Sequence, residues 1–247
     1  MSSLKLALVT GGAQGIGSRI ARKLHSDGLR VAVADIVDPV EPLAGVSYYR
    51  SDVSHSKDII RLTADLEESG GVDVLINNAA IRGPTAPVVA YPPPDWEVVL
   101  RVNLTGPFLC SQAFAPGMQR KGWGRIVNIS SMAGKTPYPL RAGYASSKWG
   151  LIGLTLTLAQ ELGPQGITVN AVCPGPVDNV VMQSVIEQRA QALSKSVDAV
   201  KAEYLRHLAI PRFPGEEDVA AMVSFLVSDA AWSITGQALE VSSGYRA

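Results

Sequence analysis

The chain has few of the residues that build metal centres, disulfide frameworks and polyanion-binding surfaces. Its 247 residues include two cysteines and three histidines, and 22 basic side chains balance 22 acidic ones. Two cysteines, Cys110 and Cys173, cannot form a disulfide framework, and neither has the spacing of a metal ligand. A net charge of zero provides no long-range field that would attract nucleic acid or an anionic membrane. We therefore expect no metal, no nucleic-acid partner and no membrane partner.

Long apolar runs are also scarce. The best candidate, residues 149–159, is shorter than the roughly 18 apolar residues that a membrane-spanning helix needs. The first residues, MSSLKLALVT, lead directly into a glycine-rich turn, which leaves no room for the apolar stretch and cleavage site of a signal peptide. These shortages predict a cytoplasmic protein.

Hydrophobic residues are plentiful, at 47% of the chain, and they form strand and helix patterns that alternate from end to end. Runs of Val, Ile and Leu separated by helices are typical of a parallel sheet covered by helices on both faces. No linker or charge run interrupts the alternation, so we predict one α/β domain over residues 1–247. The predicted strands, about seven, are 4–10, 29–35, 47–52, 72–80, 124–130, 167–173 and 237–241. The predicted helices are 18–26, 57–69, 95–119, 144–162, 180–208 and 216–227.

Two irregularities stand out in this pattern. The second and third strands are joined by IVDPVEPLAG, whereas a parallel crossover normally needs a dozen or more residues. We therefore expect a vestigial helix there and an open sheet edge beside it. Pro107 lies inside the predicted helix 95–119, which it should bend or deprive of one hydrogen bond.

A glycine-rich turn, TGGAQGIG, joins the first strand to the first helix. Gly11 permits the sharp turn, Gly15 lets the backbone approach a pyrophosphate, and Gly17 lets the helix pack against the strand. The helix N-terminus adds free N–H groups and a positive dipole end. Gln14 and Ile16 lie inside the turn and are further candidate contacts. On this motif alone, an ordinary glycine-rich loop remains an alternative, because the GxxxGxG spacing differs from the general GxGxxG.

Asp35 ends the second predicted strand, 18 residues after Gly17. A carboxylate at about this separation holds the adenosine ribose hydroxyls in dinucleotide-binding folds. It would repel the 2′-phosphate of NADP, and the next residue, Ile36, is not basic. Together with the turn, Asp35 predicts a Rossmann-type, doubly wound sheet that binds NAD in preference to NADP. The alternative is a solvated aspartate at a strand end.

Tyr144 and Lys148 are four residues apart at the start of an apolar helix, so their side chains share one face. A phenol, with a reference pKa near ~10, is a poor base at neutral pH. A nearby ammonium and the positive nicotinamide ring of NAD⁺ would favour the phenolate, and lowering the pKa by ~3 units requires about 4 kcal/mol. By themselves, a tyrosine and a lysine at this spacing are more typical of a helix surface than of a catalytic pair.

Six short motifs occur in an order that is specific as a set. They are TGGAQGIG, NNAA at 77–80, Asn103, IVNISS, YASSK at 144–148 and PGPV at 174–177. In this order they resemble the classical short-chain dehydrogenase/reductase family. The resemblance extends from Lys5 to the ITGQALEV segment near the end of the chain.

The resemblance implies an oxidoreductase that interconverts a secondary alcohol and a ketone by hydride transfer to or from NAD. In it, Tyr144 matches the general acid/base, and Lys148 matches the lysine that lowers the phenol pKa and touches the nicotinamide ribose. Ser131 matches the serine that positions the substrate oxygen, with Ser130 as the weaker candidate. Asn103 matches the asparagine that anchors a water chain to the lysine. The family also implies a homotetramer.

Further cofactor contacts follow from the same resemblance. Asp52 and Val53 match the pair that contacts adenine, Asn78 the asparagine beside the ribose, and Val177 the residue that contacts the carboxamide. Asn179 stands where the family pattern has threonine, so an amide replaces a hydroxyl at one expected nicotinamide contact.

The substrate is less well defined. Residues 81–94, 132–143 and 176–212 are expected to build its pocket, with 176–215 covering it. Small to medium alcohols that are polyhydroxylated, anionic or aryl all fit this mixed set of side chains. Candidate substrate contacts are Arg82, Tyr138, Arg141 and Met182. The alternative for both arginines is a solvated surface position.

Two other functions stay open at this point. One is a regulatory or binding module of the same fold that binds NAD without turnover. The other is a different reaction, such as epimerisation or dehydration, on the same fold.

Overall fold

A computed structural model describes residues 4–246. Its seven strands form one parallel sheet in the order β3-β2-β1-β4-β5-β6-β7. The strands are β1 Leu6–Thr10, β2 Arg30–Asp35, β3 Val46–Arg50, β4 Val74–Asn77, β5 Gly124–Ile129, β6 Ile167–Pro174 and β7 Ala238–Val241. The chain winds outwards in both directions from the β1/β4 pair. This confirms the predicted doubly wound sheet and places its topological switch point between β1 and β4.

Eight α-helices accompany the strands within the described range. They are α1 Gly15–Ser26, α2 Ser56–Glu67, α3 Pro93–Leu100, α4 Gly106–Lys121, α5 Ala142–Leu162, α6 Val180–Leu193, α7 Val197–Arg206 and α8 Glu216–Val227. Helices α2, α4 and α5 pack on one face of the sheet, and α1 and α8 pack on the other. Helices α6 and α7 form a smaller apolar cluster of their own.

The alternation of side chains along each strand explains why both faces are covered. In β1, Leu6 and Leu8 pack towards α2, α4 and α5, whereas Ala7 and Val9 pack towards α1 and α8. All four are buried. Full burial of a leucine contributes about 1.5–3 kcal/mol, so a strand that is apolar on both faces is stable only between two helical layers.

The edge of the sheet beside β3 is open, as the short connection predicts. Residues 36–45 contain no helix, and they follow β2 as an exposed loop. The carboxyl end of β2 is therefore accessible from outside.

Two predicted helices are interrupted. The helix expected at 95–119 is α3 followed by a π-helical turn, Arg101–Thr105, and then α4, so the irregularity lies just before Pro107. The amphipathic segment 180–208 is two helices, separated at Ser194, whose φ is 53°. No helix within residues 4–246 is long and apolar enough to span a membrane.

Candidate active site

A cleft of about 820 Å³ opens at the carboxyl ends of the strands. Segments that directly follow β1, β2, β4, β5 and β6 line it. Ligands of doubly wound sheets bind outside the carboxyl ends of the strands, at the switch point. The cleft is therefore where the fold and the sequence motifs both place the site.

The glycine-rich turn forms one end of this cleft. Gly11 and Gly15 have φ values of 63° and 57°, which residues with a side chain rarely adopt. A Cβ on Gly17 would lie 2.2 Å from the carbonyl oxygen of Gly11, so only glycine lets α1 pack this closely. At Gly15 a Cβ would meet only Glu216 Oε1, at 3.5 Å, which leaves the backbone open to a ligand. The turn thus fits a pyrophosphate at the N-terminus of α1.

Polar side chains from neighbouring strands hold this turn. Asp35 Oδ2 accepts a hydrogen bond of 3.0 Å from the backbone N–H of Ala13. Asn78 Nδ2 donates to the carbonyl oxygens of Thr10 and Gly11, at 3.0 and 2.8 Å. Asp35 and Asn78 therefore position the turn, and both also line the cleft beside Gln14 and Ile16.

Asp52 and Val53, which follow β3, lie beside the turn in the cleft. Partial burial alone would raise the pKa of the Asp52 carboxyl, but hydrogen bonds from Ser54 outweigh it and leave that pKa below its usual value. Asp52 therefore stays ionised at neutral pH. Val53 is buried against Gly106, where a Cβ would come within 2.9 Å of the valine side chain.

Val177 and Asn179 lie on the other side of the cleft. Asn179 caps α6, because its Oδ1 accepts from the backbone N–H of Met182 at 2.9 Å. Its Nδ2 donates to Glu216 Oε1 at 2.8 Å. Both ends of the Asn179 amide are thus engaged within the protein.

Tyr144 and Lys148 lie on the first turns of α5 at the base of the cleft, with Lys148 Nζ 5.7 Å from the centroid of the Tyr144 ring. Lys148 Nζ donates to the carbonyl oxygen of Ile129 at 2.7 Å. The two serines after β5 have different environments. Ser130 is buried and donates its hydroxyl to the backbone of α5, whereas Ser131 is half-buried and its hydroxyl interacts with the phenol. This geometry favours Ser131 over Ser130 as the group beside the reacting oxygen.

Burial controls the titration of both groups. It raises the pKa of Tyr144 to about 12, and the Ser131 hydroxyl opposes that rise. It lowers the pKa of Lys148 to about 8. The direction at Tyr144 is opposite to the lowering expected from a nearby ammonium, because desolvation of the phenolate is the larger effect in the chain alone.

Asn103 lies in the π-helical turn and is fully buried. Its side chain accepts from the N–H of Ile81 and donates to the carbonyl oxygen of the same residue, both at 2.8 Å. Its Nδ2 also donates to Ser147 Oγ at 3.0 Å. Asn103 therefore ties the loop after β4 to helix α5, one turn of which carries Tyr144 and Lys148.

The four candidate substrate contacts all line the cleft. Tyr138 Oη lies 3.2 Å from Tyr204 Oη. Arg141 is buried, so it is not the solvated surface residue that the alternative predicted, whereas Arg82 is half-buried and its hydrogen bond to Val181 lies at the surface. Met182 is buried in the first turn of α6.

The sequence analysis named none of Gln188, Glu216 and Tyr245 as a contact, although Gln188 falls in the predicted stretch 176–212, and all three line the cleft. Gln188 and Glu216 are polar residues on helices, a pattern typical of solvated positions. Tyr245 follows the last matched motif, and no periodicity marks it. Only the return of the chain end towards α6 and α7 brings it to the cleft.

Comparison with known proteins agrees with this geometry. The family model described as short chain dehydrogenase matches residues 5–190. The chain belongs to the short chain dehydrogenase family. This confirms the resemblance that the ordered motifs indicated.

Relatives of this short chain dehydrogenase span its whole length. A curated D-beta-hydroxybutyrate dehydrogenase of Cupriavidus necator is 33% identical, over 98% of this chain and 97% of its own. The structure of an NAD⁺-bound xylitol dehydrogenase superposes with a TM-score of 0.91 at 30% identity, over 97% and 98% of the two chains. That of an actinorhodin polyketide ketoreductase with NADPH gives 0.90 at 34% identity, over 99% and 98%. The family therefore includes structures with either nicotinamide cofactor.

Proposed function

We propose that the protein is an NAD-dependent dehydrogenase that interconverts a secondary alcohol and a ketone. The observation that carries the proposal is the meeting of Tyr144, Ser131 and Lys148 at one end of a cleft whose other end is the glycine turn. Proton transfer and dinucleotide binding thus have adjacent sites. Ser131, Tyr144 and Lys148 act at the reacting groups, and Asn103, the fourth residue of the predicted catalytic set, positions them.

Each side chain has a distinct task in this proposal. Tyr144 takes the hydroxyl proton of the alcohol during oxidation and returns it during reduction. Ser131 donates a hydrogen bond to the same oxygen, and Lys148 adds a positive charge behind the phenol. NAD⁺, when bound, supplies the hydride acceptor and a further positive charge that favours the phenolate. Asn103 positions helix α5 against the loop after β4, since its side chain hydrogen-bonds to Ile81 and Ser147.

The preference for NAD over NADP rests on the end of β2. Asp35 offers a carboxylate there, and the exposed residues that follow it, Ile36 and Val37, are apolar. A ribose 2′-hydroxyl can donate to the carboxylate, whereas a 2′-phosphate would meet like charge. Because one structural relative is bound to NAD⁺ and another to NADPH, family membership alone does not decide the cofactor, and the preference rests on Asp35.

The decisive experiment is the Tyr144→Phe variant. We expect oxidation to fall by ~100-fold or more, the contribution typical of a positioned acid/base, while NADH binding measured by fluorescence stays within about threefold. Tyr49→Phe, on the edge strand β3, is the matched control and should keep full activity. Retention of about a tenth of the turnover would show that Tyr144 is not the acid/base.

The same measurements separate the proposal from a module without turnover. Such a module would bind NADH but reduce no NAD⁺ during a screen of polyols, hydroxy acids, aryl alcohols and hydroxysteroids. A cytoplasmic location and a homotetrameric assembly complete the proposal.

A further inference from the structure

Two arginines at the substrate end of the cleft have no acidic partner. Arg141 is 4% exposed, and its Nη1 and Nη2 donate to the carbonyl oxygen of Gly83 and to Gln188 Oε1, both at 2.9 Å. Arg82 Nη1 donates to the carbonyl oxygen of Val181 at 2.9 Å. All three acceptors are neutral. Across residues 4–246, no carboxylate oxygen lies within 4.0 Å of either guanidinium.

A second buried arginine shows how this chain accommodates an internal guanidinium elsewhere. Arg125 is 3% exposed, lies over the ring of Trp123 at 4.3 Å and has Asp229 at 3.7 Å. A buried charge is costly unless an opposite charge compensates for it. Arg141 has no such compensation from the described part of the protein.

The acidic side chains of the cleft lie at its other end. Those that line it within the described residues are Asp35, Asp52 and Glu216. The first two follow β2 and β3, and the third approaches Gly15. The cleft is therefore polarised, with carboxylates at the end proposed for the dinucleotide and uncompensated arginines at the end proposed for the substrate.

Several other polar groups at the substrate end already have partners within the described residues. The hydroxyls of Tyr138 and Tyr204 pair with each other at 3.2 Å. Gln188 Oε1 accepts from Arg141 and from Thr85. A guanidinium has five N–H donors, and the protein engages two on Arg141 and one on Arg82. Unused donors and uncompensated charge thus coincide in one place.

We propose that this end of the cleft binds the carboxylate of a hydroxy acid or of the corresponding keto acid. The planar fork of arginine matches the two oxygens of a carboxylate. Arg82, half-buried and with most of its donors free, contacts the carboxylate directly. Arg141 supplies the second charge while it holds the loop after β4 and helix α6 in place. This assignment rests on the proposed function and names its substrate class.

The first test compares acids with neutral analogues of the same shape. Short α-, β- and γ-hydroxy acids are each assayed beside their methyl esters. We expect the best acid to exceed its ester by ~30-fold or more in kcat/KM, and Arg82→Gln to reduce that ratio to about threefold or less by slowing the acid alone. Arg82→Lys keeps the charge and should retain an intermediate ratio. Arg120→Gln, a surface arginine paired with Glu67, is the control and should leave the ratio unchanged.

The second test does not depend on turnover. Calorimetric titration of the NADH-loaded protein with butyrate should show saturable binding that Arg82→Gln weakens by ~tenfold or more. Esters used as well as acids, phosphate monoesters preferred to acids, or butyrate binding that ignores Arg82→Gln would each overturn the assignment. If no alcohol is oxidised although butyrate binding depends on Arg82, the proposed reaction fails while the carboxylate site stands.

Discussion

Lys148 is an ionisable amine in a buried position, and burial disfavours its charged form. Its side chain is 2% exposed, and its pKa of about 8 lies below the ordinary 10.5 because burial penalises the ammonium. The folded chain therefore binds this proton less tightly than the unfolded chain does. Below pH 8 the protein bears the full cost of burying an ammonium, and that cost disappears as the pH rises to 10.5. A residue kept at such a cost is typical of a functional site.

Replacement of this lysine should therefore stabilise the fold. A depression of the pKa from 10.5 to about 8 corresponds to ~3 kcal/mol, of which ~1 is offset by the lost hydrogen bond to Ile129. We expect Lys148→Met to raise the free energy of unfolding by about 2 kcal/mol at pH 7 and to abolish turnover. The advantage should shrink as the pH increases from 8 to 10.5. Urea denaturation at both ends of this range measures it.

The exposed Lys57 provides the control for that comparison, because Lys57→Met removes a solvated ammonium on α2. It should change stability little at either pH. If Lys148→Met lowers the free energy of unfolding at pH 7, burial of the ammonium does not destabilise the fold and the prediction is wrong.

In the proposed reaction, the carboxylate of Asp35 is expected to set the preference for NAD over NADP. We expect kcat/KM to favour NAD⁺ by ~100-fold or more, or about 2.7 kcal/mol. Asp35→Ala should narrow this ratio, chiefly through weaker NAD⁺ binding, because the variant loses both the proposed ribose acceptor and the acceptor of the Ala13 N–H. Asp38→Ala, three residues further on the exposed loop, serves as the control. Equal rates of the wild type with both cofactors would contradict the assignment.

At the scale of elements, the sequence predicted best what local patterns determine. The strands and the glycine turn follow from apolar runs and from backbone conformations that only glycine adopts readily. The break between α6 and α7 escaped prediction because Ser194, not glycine, takes the left-handed position while Lys195 N–H donates to the carbonyl oxygen of Ala190. The π-helical turn escaped because its partner, Ile81, is distant in sequence.

The same distinction applies to the site. The sequence motifs predicted that Tyr144, Lys148 and Asp35 would line the cleft, and they do. The burial of Arg141 was not predicted, since it depends on Gly83 and Gln188, which only the folded chain brings near.

The π-helical turn should depend on the Asn103 side chain. Asn103→Ala removes three hydrogen bonds, of which the one to Ser147 is buried and the two to the backbone of Ile81 are partly buried. We expect a loss of about 2–4 kcal/mol in the free energy of unfolding, since each of the three hydrogen bonds contributes ~0.5–1.5 kcal/mol. Turnover should fall together with it, because α5 loses its tie to the loop after β4. Gln112→Ala, on the exposed side of α4, is the control, because it changes helix propensity alone. If Asn103→Ala is as stable as Gln112→Ala, the Asn103 side chain does not hold the loop after β4 to α5.

At the scale of the whole molecule, two apolar patches lie on opposite sides of the sheet. The first, on α4 and α5, exposes Phe108, Trp149 and Leu156 at 44%, 52% and 46%. The second, on α8 and the turn before β7, exposes Phe225 at 44% and Trp232 at 73%. Large exposed apolar side chains in groups mark contact surfaces. Two separate patches are enough for a dihedral tetramer, because two perpendicular two-fold interfaces generate the whole assembly.

We therefore expect a homotetramer, with a mass by light scattering of four times the 26.1 kDa chain at micromolar concentration. A charge placed in either patch should break one interface and leave the other, because burial of an unpaired carboxylate costs several kcal/mol. Trp149→Glu and Trp232→Glu should each give dimers, and the double variant monomers. Ile60→Glu, at an equally exposed apolar position on α2 outside both patches, should remain tetrameric. A wild-type mass equal to one chain would refute the assembly, and monomers from either single variant would mean that one patch alone holds the subunits together.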